Sequence, residues 1–178
     1  MKNIESKVKV DGFSATFKYL KIAGIRYKGI LRQKDTYFNT LTGYLKHRKI
    51  NGKENQLICY ERDYSDVRNI SYYKIIKVPG INFCKELCDT LKKTYHTKAV
   101  ILKTRRLWIY KNTRIHLDKV KDLGLFVELE TVEGKNNKRS SQKEHDNLRK
   151  LLHLDRYENI QCSYLDLVVN RMKGAHYL

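Results

Sequence analysis

Eight stretches of the chain alternate between apolar and polar residues at a period of two. Such alternation is typical of extended strands, which send successive side chains to opposite faces. In Val127-Glu128-Leu129-Glu130, for example, both glutamates lie on one face and both apolar residues on the other. The predicted strands are 2–10, 27–39, 43–50, 55–63, 70–78, 97–111, 114–120 and 125–133. Short turns such as 41–43 and 51–52 join several of them, which favours antiparallel hairpins.

Three other segments repeat their apolar residues at the spacing of a helix. They cover about 12 to 23, about 83 to 94, and the region from Ser141 onward. Their apolar stripes are Phe13, Phe17 and Leu20; Phe83, Leu87 and Leu91; and Leu148, Leu151 and Leu152. Asp11 is expected as N-cap of the first helix, and Ser141 with Glu144 as a capping box of the third. The polar linker 133–141 is expected to be a mobile surface loop.

These elements predict an α+β fold that is mainly β: an eight-stranded antiparallel closed barrel with flanking helices. The length of 178 residues predicts one domain, 1–178, able to bury a real core. A hydrophobic content of 41% with thirteen Tyr and five Phe argues against disorder. With no apolar run of about 18 residues and no signal-peptide pattern, we expect a soluble, cytoplasmic protein without a membrane span.

The net positive charge of the chain indicates which kind of partner it binds. A formal net charge of +18 implies an anion: nucleotide, polyphosphate, nucleic acid or an acidic membrane surface. A basic surface with no specific partner is the alternative. The four cysteines, at 59, 84, 88 and 162, lack the usual spacing of metal ligands. Cys84 and Cys88 stand four apart on a predicted helix, where buried free thiols are expected.

Charged and polar residues recur on one face of most predicted strands. They are Asn3, Glu5, Lys7 and Lys9; Lys46 and Arg48; Tyr60 and Arg62; Tyr72 and Lys74; Lys103 and Arg105; Arg114, His116 and Asp118; and Glu128 and Glu130. Each pair alone is typical of a solvated edge. Together they favour a closed sheet lined with cations and a few acids, which would bind a polyanion with metal. Carboxylate oxygens favour Mg²⁺ or Mn²⁺, and these ions bridge phosphate oxygens.

At this point the chain resembles the CYTH superfamily of triphosphate tunnel enzymes, and within it the class IV adenylyl cyclase-like branch. The resemblance rests on Asn3-Ile-Glu5-Ser-Lys7, Gln33-Lys-Asp35-Thr-Tyr37-Phe38, Gly43-Tyr-Leu-Lys46-His-Arg48, Leu57-Ile-Cys-Tyr60-Glu-Arg62, Ser71-Tyr72, Lys103-Thr-Arg105, Arg114-Ile-His116-Leu-Asp118, Phe126-Val-Glu128-Leu-Glu130 and Ser163-Tyr164-Leu-Asp166-Leu167. It implies an eight-stranded tunnel that binds a triphosphate with divalent metal. The family opens on Glu-x-Glu-x-Lys, whereas Asn3 stands here in place of the first acid. An amide oxygen still coordinates metal but adds no charge.

The resemblance also implies roles for individual residues. Metal would be held by Glu5, Glu128 and Glu130. Phosphate oxygens would be clamped by Lys7, Lys46, Arg48, Arg62, Lys74 and Arg114. Lys103 and Arg105 match positions toward the nucleoside end, and Asp118 would orient a basic residue or help bind metal. We group these last three as catalytic. His116 is an acid, a base or a structural hydrogen-bonding residue.

Two reactions fit such a site. In cyclisation the ribose 3′-hydroxyl attacks the α-phosphorus of ATP, giving cyclic AMP and pyrophosphate. In hydrolysis water attacks the terminal phosphorus of a nucleoside, thiamine or inorganic triphosphate. A non-catalytic module that binds nucleotides or RNA 5′-ends is a third option, and a purely structural barrel is a fourth. The resemblance to the class IV adenylyl cyclase-like branch favours cyclisation. The expected partner is a nucleoside triphosphate or other triphosphate; nucleic acid, through surface charge, and a homodimer remain open.

Overall fold

A computed structural model describes residues 2–63, 70–133 and 138–174. Its strands are β1 (Lys2–Val10), β2 (Arg26–Phe38), β3 (Tyr44–Ile50), β4 (Glu54–Asp63), β5 (Ile70–Lys77), β6 (Thr97–Tyr110), β7 (Thr113–Val120) and β8 (Gly124–Val132). Its helices are α1 (Ser14–Ile22), α2 (Ile81–Tyr95), α3 (Lys138–Leu151) and α4 (Tyr164–Gly174). The strands form a closed barrel in the order β1-β5-β4-β3-β2-β6-β7-β8. The predicted eight-stranded antiparallel barrel with flanking helices is confirmed.

By its internal contacts the chain divides into two compact units. The first comprises 1–31, 62–72 and 104–161, and the second comprises 32–61, 73–103 and 162–178. The prediction of one domain stays a prediction.

An apolar core lies in the first unit, on one face of β1, β7 and β8. It includes Val8, Ile115, Leu117, Val127, Leu129, Leu148 and Leu152, all fully buried. Burying a side chain of this size stabilises the fold by about 1.5–3 kcal/mol. Because strand residues alternate between faces, packing Val127 and Leu129 into this core turns Glu128 and Glu130 to the opposite face.

A directed chain of hydrogen bonds anchors α3 to this unit. Thr113 donates its hydroxyl hydrogen to Glu144 at 2.6 Å, so it must accept from Thr131 at 2.8 Å. Thr131 then accepts from Nδ1 of His145 at 2.9 Å. Nε2 of His145 accepts from Ser6 at 3.1 Å. Burial lowers the pKa of His145 to about 4, so the imidazole is neutral near pH 7 and Nε2 has no hydrogen to donate.

The structure corrects several details of the first and third helices. α1 begins after Phe13, not Asp11, and its N-cap makes no side-chain hydrogen bond. The capping box at Ser141 was wrong, because α3 already begins at Lys138 and Glu144 accepts from Asn112 and Thr113 instead. Leu151 is exposed rather than part of the apolar stripe. The predicted linker is helical from residue 138, and its residues 134–137 lie outside the described part of the chain.

The second helix and α4 bring further corrections. Phe83 was predicted to be buried but is 56% exposed. The stripe of α2 that is turned from solvent begins one residue later, at Cys84, and continues through Leu87, Cys88 and Leu91, the i, i+3, i+4, i+7 spacing of one helix face. The helix α4 was not predicted. It starts with a capping box in which Asp166 accepts from the backbone N–H of Ser163 and Ser163 Oγ accepts from that of Asp166.

Candidate active site

The register of the first unit assembles a cluster of charged side chains. Partners in an antiparallel pair point to the same face. Glu128 pairs with Lys7 of β1 on one side and with His116 of β7 on the other. Glu130 pairs in the same way with Glu5 and with Arg114. We call Glu5, Lys7, Arg105, Arg114, His116, Asp118, Glu128 and Glu130 the acidic cluster.

Arg105 of β6 lies at the centre of the cluster. Its Nε and Nη2 atoms donate to both oxygens of Asp118 at 2.7 and 2.6 Å, and Nη2 also lies 2.8 Å from Glu128 Oε2. All three side chains are buried. Burial opposes the charge, but Asp118 and Glu128 raise the pKa of Arg105 well above its usual value. A guanidinium shared by two carboxylates is a rigid support that fixes where Glu128 points.

Glu128 and Glu130 are both carboxylates at neutral pH. Burial opposes ionisation of Glu128, but the hydrogen bond from His116 and the charges of Lys7 and Arg105 hold its pKa well below its usual value. Burial likewise opposes the charge on Glu130, yet the positive charges of Arg114 and Arg105 keep the pKa of Glu130 below its usual value. Arg114 lies 3.0 Å from Glu130, and Lys7 lies 3.7 Å from Glu128.

His116 is held in one neutral tautomer. An arginine only donates, so Nε2 of His116, 3.4 Å from Arg105 Nη1, must accept. The ring hydrogen is therefore on Nδ1 and points to Glu128 Oε2 at 3.3 Å. Burial and Arg105 lower the pKa of His116, which agrees with this assignment. Since both ring nitrogens have partners, His116 orients Glu128 in this structure.

The donor set of the acidic cluster suits a hard divalent cation. Ligand atoms of His116, Glu128 and Glu130 lie within 4.8 Å of one another. Glu5 adds a third carboxylate beside Glu130 in the register. Carboxylate oxygens are the ligands that Mg²⁺ and Mn²⁺ prefer. The cluster holds four carboxylates against three permanent cations, so a divalent ion would turn a local excess of one negative charge into an excess of one positive charge.

The second unit contains its own ionic cluster, built on β2 and β3. Asp35 accepts from Nε of Arg48 at 2.7 Å, from its Nη2 at 2.6 Å and from Lys46 at 3.1 Å. Burial would raise the pKa of Asp35, but Arg48 and Lys46 lower it well below its usual value. Lys46 also donates to the hydroxyl of Tyr37 at 3.1 Å and lies 5.4 Å from the ring of Tyr60. Two cations on one acid leave this group with a net positive charge.

Other side chains of the second unit are also ordered by aromatic rings. Lys103 is buried, with its ammonium 4.9 Å from the ring centroid of Tyr164 in α4. Tyr60 stacks on Tyr44 at 4.7 Å, and the hydroxyl of Tyr44 lies 3.3 Å from Asp166. These contacts give Tyr60 a packing partner.

The remaining predicted phosphate ligands are Lys74 and Arg62. Lys74 is exposed on β5, two residues from Tyr72, which pairs with Lys2. Asn3 pairs instead with Ser71, so Lys74 lies on the face opposite to Asn3, and its assignment to the shared face was wrong. The side chain of Arg62 lies outside the described residues. Asn3 is buried beside Ser71 and Val132.

Sequence reasoning gave Asp35 no role, although Asp35 anchors Lys46 and Arg48. The signal was present: Asp35 shares its strand face with Gln33 and Tyr37 and pairs in the register with Arg48. A single acid on a predicted strand has no meaning until the pairing partner is known, which explains the omission.

Comparison with known proteins decides the family. The model of the CYTH domain matches residues 1–164. The chain belongs to the CYTH domain family. The predicted family is thus confirmed. Among curated proteins the comparison finds no match.

Solved structures share the CYTH fold of this chain. A protein of Pyrococcus horikoshii is 23% identical, with a TM-score of 0.79 over 93% of this chain and 98% of its own. A candidate adenylate cyclase from Vibrio parahaemolyticus is 15% identical, with a TM-score of 0.74 over 94% and 97%. A candidate adenylyl cyclase from Hippeastrum with a dominant triphosphatase activity is 11% identical, with a TM-score of 0.60 over 97% and 95%. Within the described residues of this CYTH protein, no helix is long and apolar enough to cross a membrane.

Proposed function

We propose that this CYTH protein is a metal-dependent enzyme that acts on a nucleoside triphosphate, and that it converts ATP to cyclic AMP and pyrophosphate. The observation that carries the proposal is the acidic cluster. Its Glu128 and Glu130 are ionised, close together and oriented by Arg105, Arg114 and His116. Such a set of oxygen ligands has little use in a structural barrel, where apolar side chains would pack at lower cost.

In the proposed site the acidic residues bind the metal and the basic residues bind the phosphate oxygens. Glu5, Glu128 and Glu130 would hold Mg²⁺ or Mn²⁺, which when bound lowers the pKa of an attacking hydroxyl and neutralises phosphate charge. Lys7 and Arg114, already beside these acids, would turn to phosphate oxygens once the metal takes over part of the carboxylate charge. Lys46, Arg48 and Arg62 remain candidates for phosphate oxygens on the resemblance alone.

The three residues grouped as catalytic, Lys103, Arg105 and Asp118, receive different proposed roles. Arg105 and Asp118 are engaged with each other in two short hydrogen bonds, so we propose that they position Glu128. Lys103 remains the candidate that contacts the nucleotide directly. His116 is a poor general base because Nε2 accepts from Arg105.

Hydrolysis of the triphosphate is the second candidate, favoured by one finding. The Hippeastrum protein of the same fold has a dominant triphosphatase activity. The acidic cluster is compatible with either reaction, because both need the same metal and the same stabilisation of phosphate charge.

One set of incubations tests both candidates. Purified protein is mixed with Mg²⁺ or Mn²⁺ and with ATP, GTP, thiamine triphosphate or tripolyphosphate, and the products are separated by chromatography. Cyclic AMP with pyrophosphate supports the proposal, and orthophosphate without cyclic nucleotide supports the second candidate. The matched controls are the Glu130→Gln variant, which should be inactive or strongly impaired, and Glu86→Gln, an exposed acid on α2 that should behave as wild type. No product from any substrate would refute both and leave a binding module.

A further inference from the structure

A second group of metal-ligating side chains lies in the second unit, away from its ionic cluster. His47 stands between Lys46 and Arg48 on β3 and therefore points to the opposite face. Cys84 and Cys88 are one helical turn apart on α2, on the stripe that the helix turns from solvent. Ligand atoms of these three residues lie within 4.8 Å of one another.

The distance between Cys84 and His47 matches that between two ligands of one tetrahedral ion. Cys84 Sγ is 3.4 Å from His47 Nε2, and Asn55 Oδ1 is 3.1 Å from the same nitrogen. Zinc–ligand bonds of about 2.0–2.3 Å place neighbouring ligand atoms about 3.4–3.8 Å apart in a tetrahedron. Small side-chain movements would therefore bring the imidazole and both thiolates onto one ion.

Asn55 is a candidate for the fourth ligand, because its Oδ1 contacts Nε2 of His47. Its amide nitrogen donates to the carbonyl of Lys53 at 3.3 Å, which directs Oδ1 toward His47. In the metal-free arrangement Nε2 of His47 then carries a hydrogen for Asn55. A metal ion would replace that hydrogen, and the ring proton would move to Nδ1.

We propose that His47, Cys84 and Cys88 form a binding site for Zn²⁺, with Asn55 or water in the fourth position. Two thiolates neutralise the ion, so the complex could be buried at small electrostatic cost. A sulfur-rich donor set selects a soft or borderline metal over Mg²⁺ and Mn²⁺. The site is therefore separate in chemistry from the carboxylates of the acidic cluster, and it does not depend on the proposed reaction.

Proton balance makes binding depend on pH. Each ion that binds displaces one proton from each thiol, and both protons go to solvent. Burial and the neighbouring Cys84 raise the pKa of Cys88 to about 11, so the Cys88 thiol is protonated in the metal-free protein. Burial lowers the pKa of His47, so the imidazole is already neutral. Affinity for zinc should rise as pH rises from 6 to 8.

Cobalt provides a probe that reports on thiolate ligands. Under reducing conditions Co²⁺ is titrated into the full chain, and the sulfur-to-cobalt charge-transfer absorption in the near ultraviolet is recorded. Zinc is then added to displace the cobalt. The variants are Cys84→Ser and Cys88→Ser, with Cys59→Ser as the matched control because Cys59 is exposed outside the cluster. Cobalt bound by carboxylates alone would give no such absorption.

We expect the absorption in wild type and in Cys59→Ser, and its removal by one equivalent of zinc. Cys84→Ser and Cys88→Ser should each weaken binding by more than the roughly 10–100-fold that loss of an outer-shell partner costs. Zinc should also raise the unfolding temperature of wild type but not of Cys88→Ser. Because Cys88 is only partly buried, whereas Cys84 is buried, Cys88→Ser is the safer variant to fold. No charge-transfer absorption in wild type, or an unchanged one in Cys88→Ser, would overturn the proposal.

Discussion

At the scale of single residues, Glu128 and Glu130 differ in what holds them. Glu128 is buried and contacts Arg105, His116 and Lys7. Glu130 is more exposed and its closest cation is Arg114 at 3.0 Å. One glutamate therefore supports the fold as well as the site, whereas the other is available mainly for a ligand.

Substituting the two glutamates should separate these roles. Glu128→Ala leaves Arg105 and Lys7 partly unpaired in a buried region, so it should destabilise the protein by about 3–5 kcal/mol. Glu130→Ala should cost less than Glu128→Ala, since its ion pair with Arg114 is partly exposed. Urea unfolding at neutral pH measures both values. Equal losses of stability for the two variants would contradict this division.

Glu130→Gln should lower the affinity of the candidate active site for metal without disturbing the fold. The amide keeps the shape of the side chain but removes one negative charge from the ligand set. We expect the Mn²⁺ concentration for half-maximal turnover to rise by roughly 10-fold or more. Wild-type metal dependence in this variant, measured alongside Glu86→Gln, would show that Glu130 does not bind the metal.

Some site residues could be placed from the sequence alone, and others could not. Alternation placed Glu128 and Glu130 on one face, because both belong to a strand whose other face carries Leu125, Val127 and Leu129. It failed at Lys74, where β5 has Tyr72-Tyr73-Lys74 and no clear apolar face to set the phase. It also overlooked Asp35, whose meaning comes from a partner on another strand. Alternation within a strand shows which of its side chains share a face. Only the pairing register shows which side chains of neighbouring strands lie next to them.

At the scale of elements, helices were found more reliably than their ends. The segments of α1, α2 and α3 were all predicted, because apolar spacing extends over several turns. Their first turns were not, since capping depends on tertiary competition for the side chain. Glu144 has the spacing of a capping box but is attracted by the N–H of Asn112 and the hydroxyl of Thr113.

The hydrogen-bond chain that anchors α3 should make stability depend on pH. His145 has a pKa of about 4 in the folded protein and near 6.5 when unfolded. The unfolded chain binds the extra proton between these values, so stability is full above pH 6.5 and falls as pH decreases toward 4. The contribution is up to about 3 kcal/mol.

The His145→Gln variant tests this dependence. Glutamine stays uncharged, and its amide can still donate and accept a hydrogen bond. We expect the loss of stability between pH 7 and pH 5, measured by urea unfolding, to be smaller in the variant than in wild type. His47 and His116 titrate in both proteins, so the difference belongs to His145. Parallel pH profiles would contradict the neutral assignment.

At the scale of the whole molecule, the positive charge and the acidic cluster oppose each other. The chain carries +18 in total, yet the acidic cluster has more carboxylates than permanent cations. A triphosphate should therefore need metal at that cluster, whereas a long polyanion could bind the basic surface without it.

Chelation and salt should distinguish these two modes. With EDTA, turnover of a triphosphate should stop, while binding of single-stranded RNA measured by fluorescence anisotropy should persist. RNA binding should weaken steeply with salt, by about 300-fold between 50 and 200 mM if six or so phosphates are neutralised. RNA binding that requires metal, or that ignores salt, would contradict the assignment of this charge to nonspecific contacts.

In the hydrogen-bond chain from Ser6 to Glu144, each group donates to the next. This fixed direction limits which substitutions the protein can accept during evolution. Thr131→Val would keep the side-chain volume but remove both hydrogen bonds of Thr131. The buried Nδ1–H of His145 would be left unsatisfied, at a cost of about 1–3 kcal/mol. Serine could replace Thr131 because it retains the hydroxyl, and a reversal of the chain would need several simultaneous substitutions. Ser6 lies between Glu5 and Lys7 on β1. The residues that contact α3 and the residues of the candidate active site are therefore neighbours on one strand, and substitutions at one set are constrained by the other.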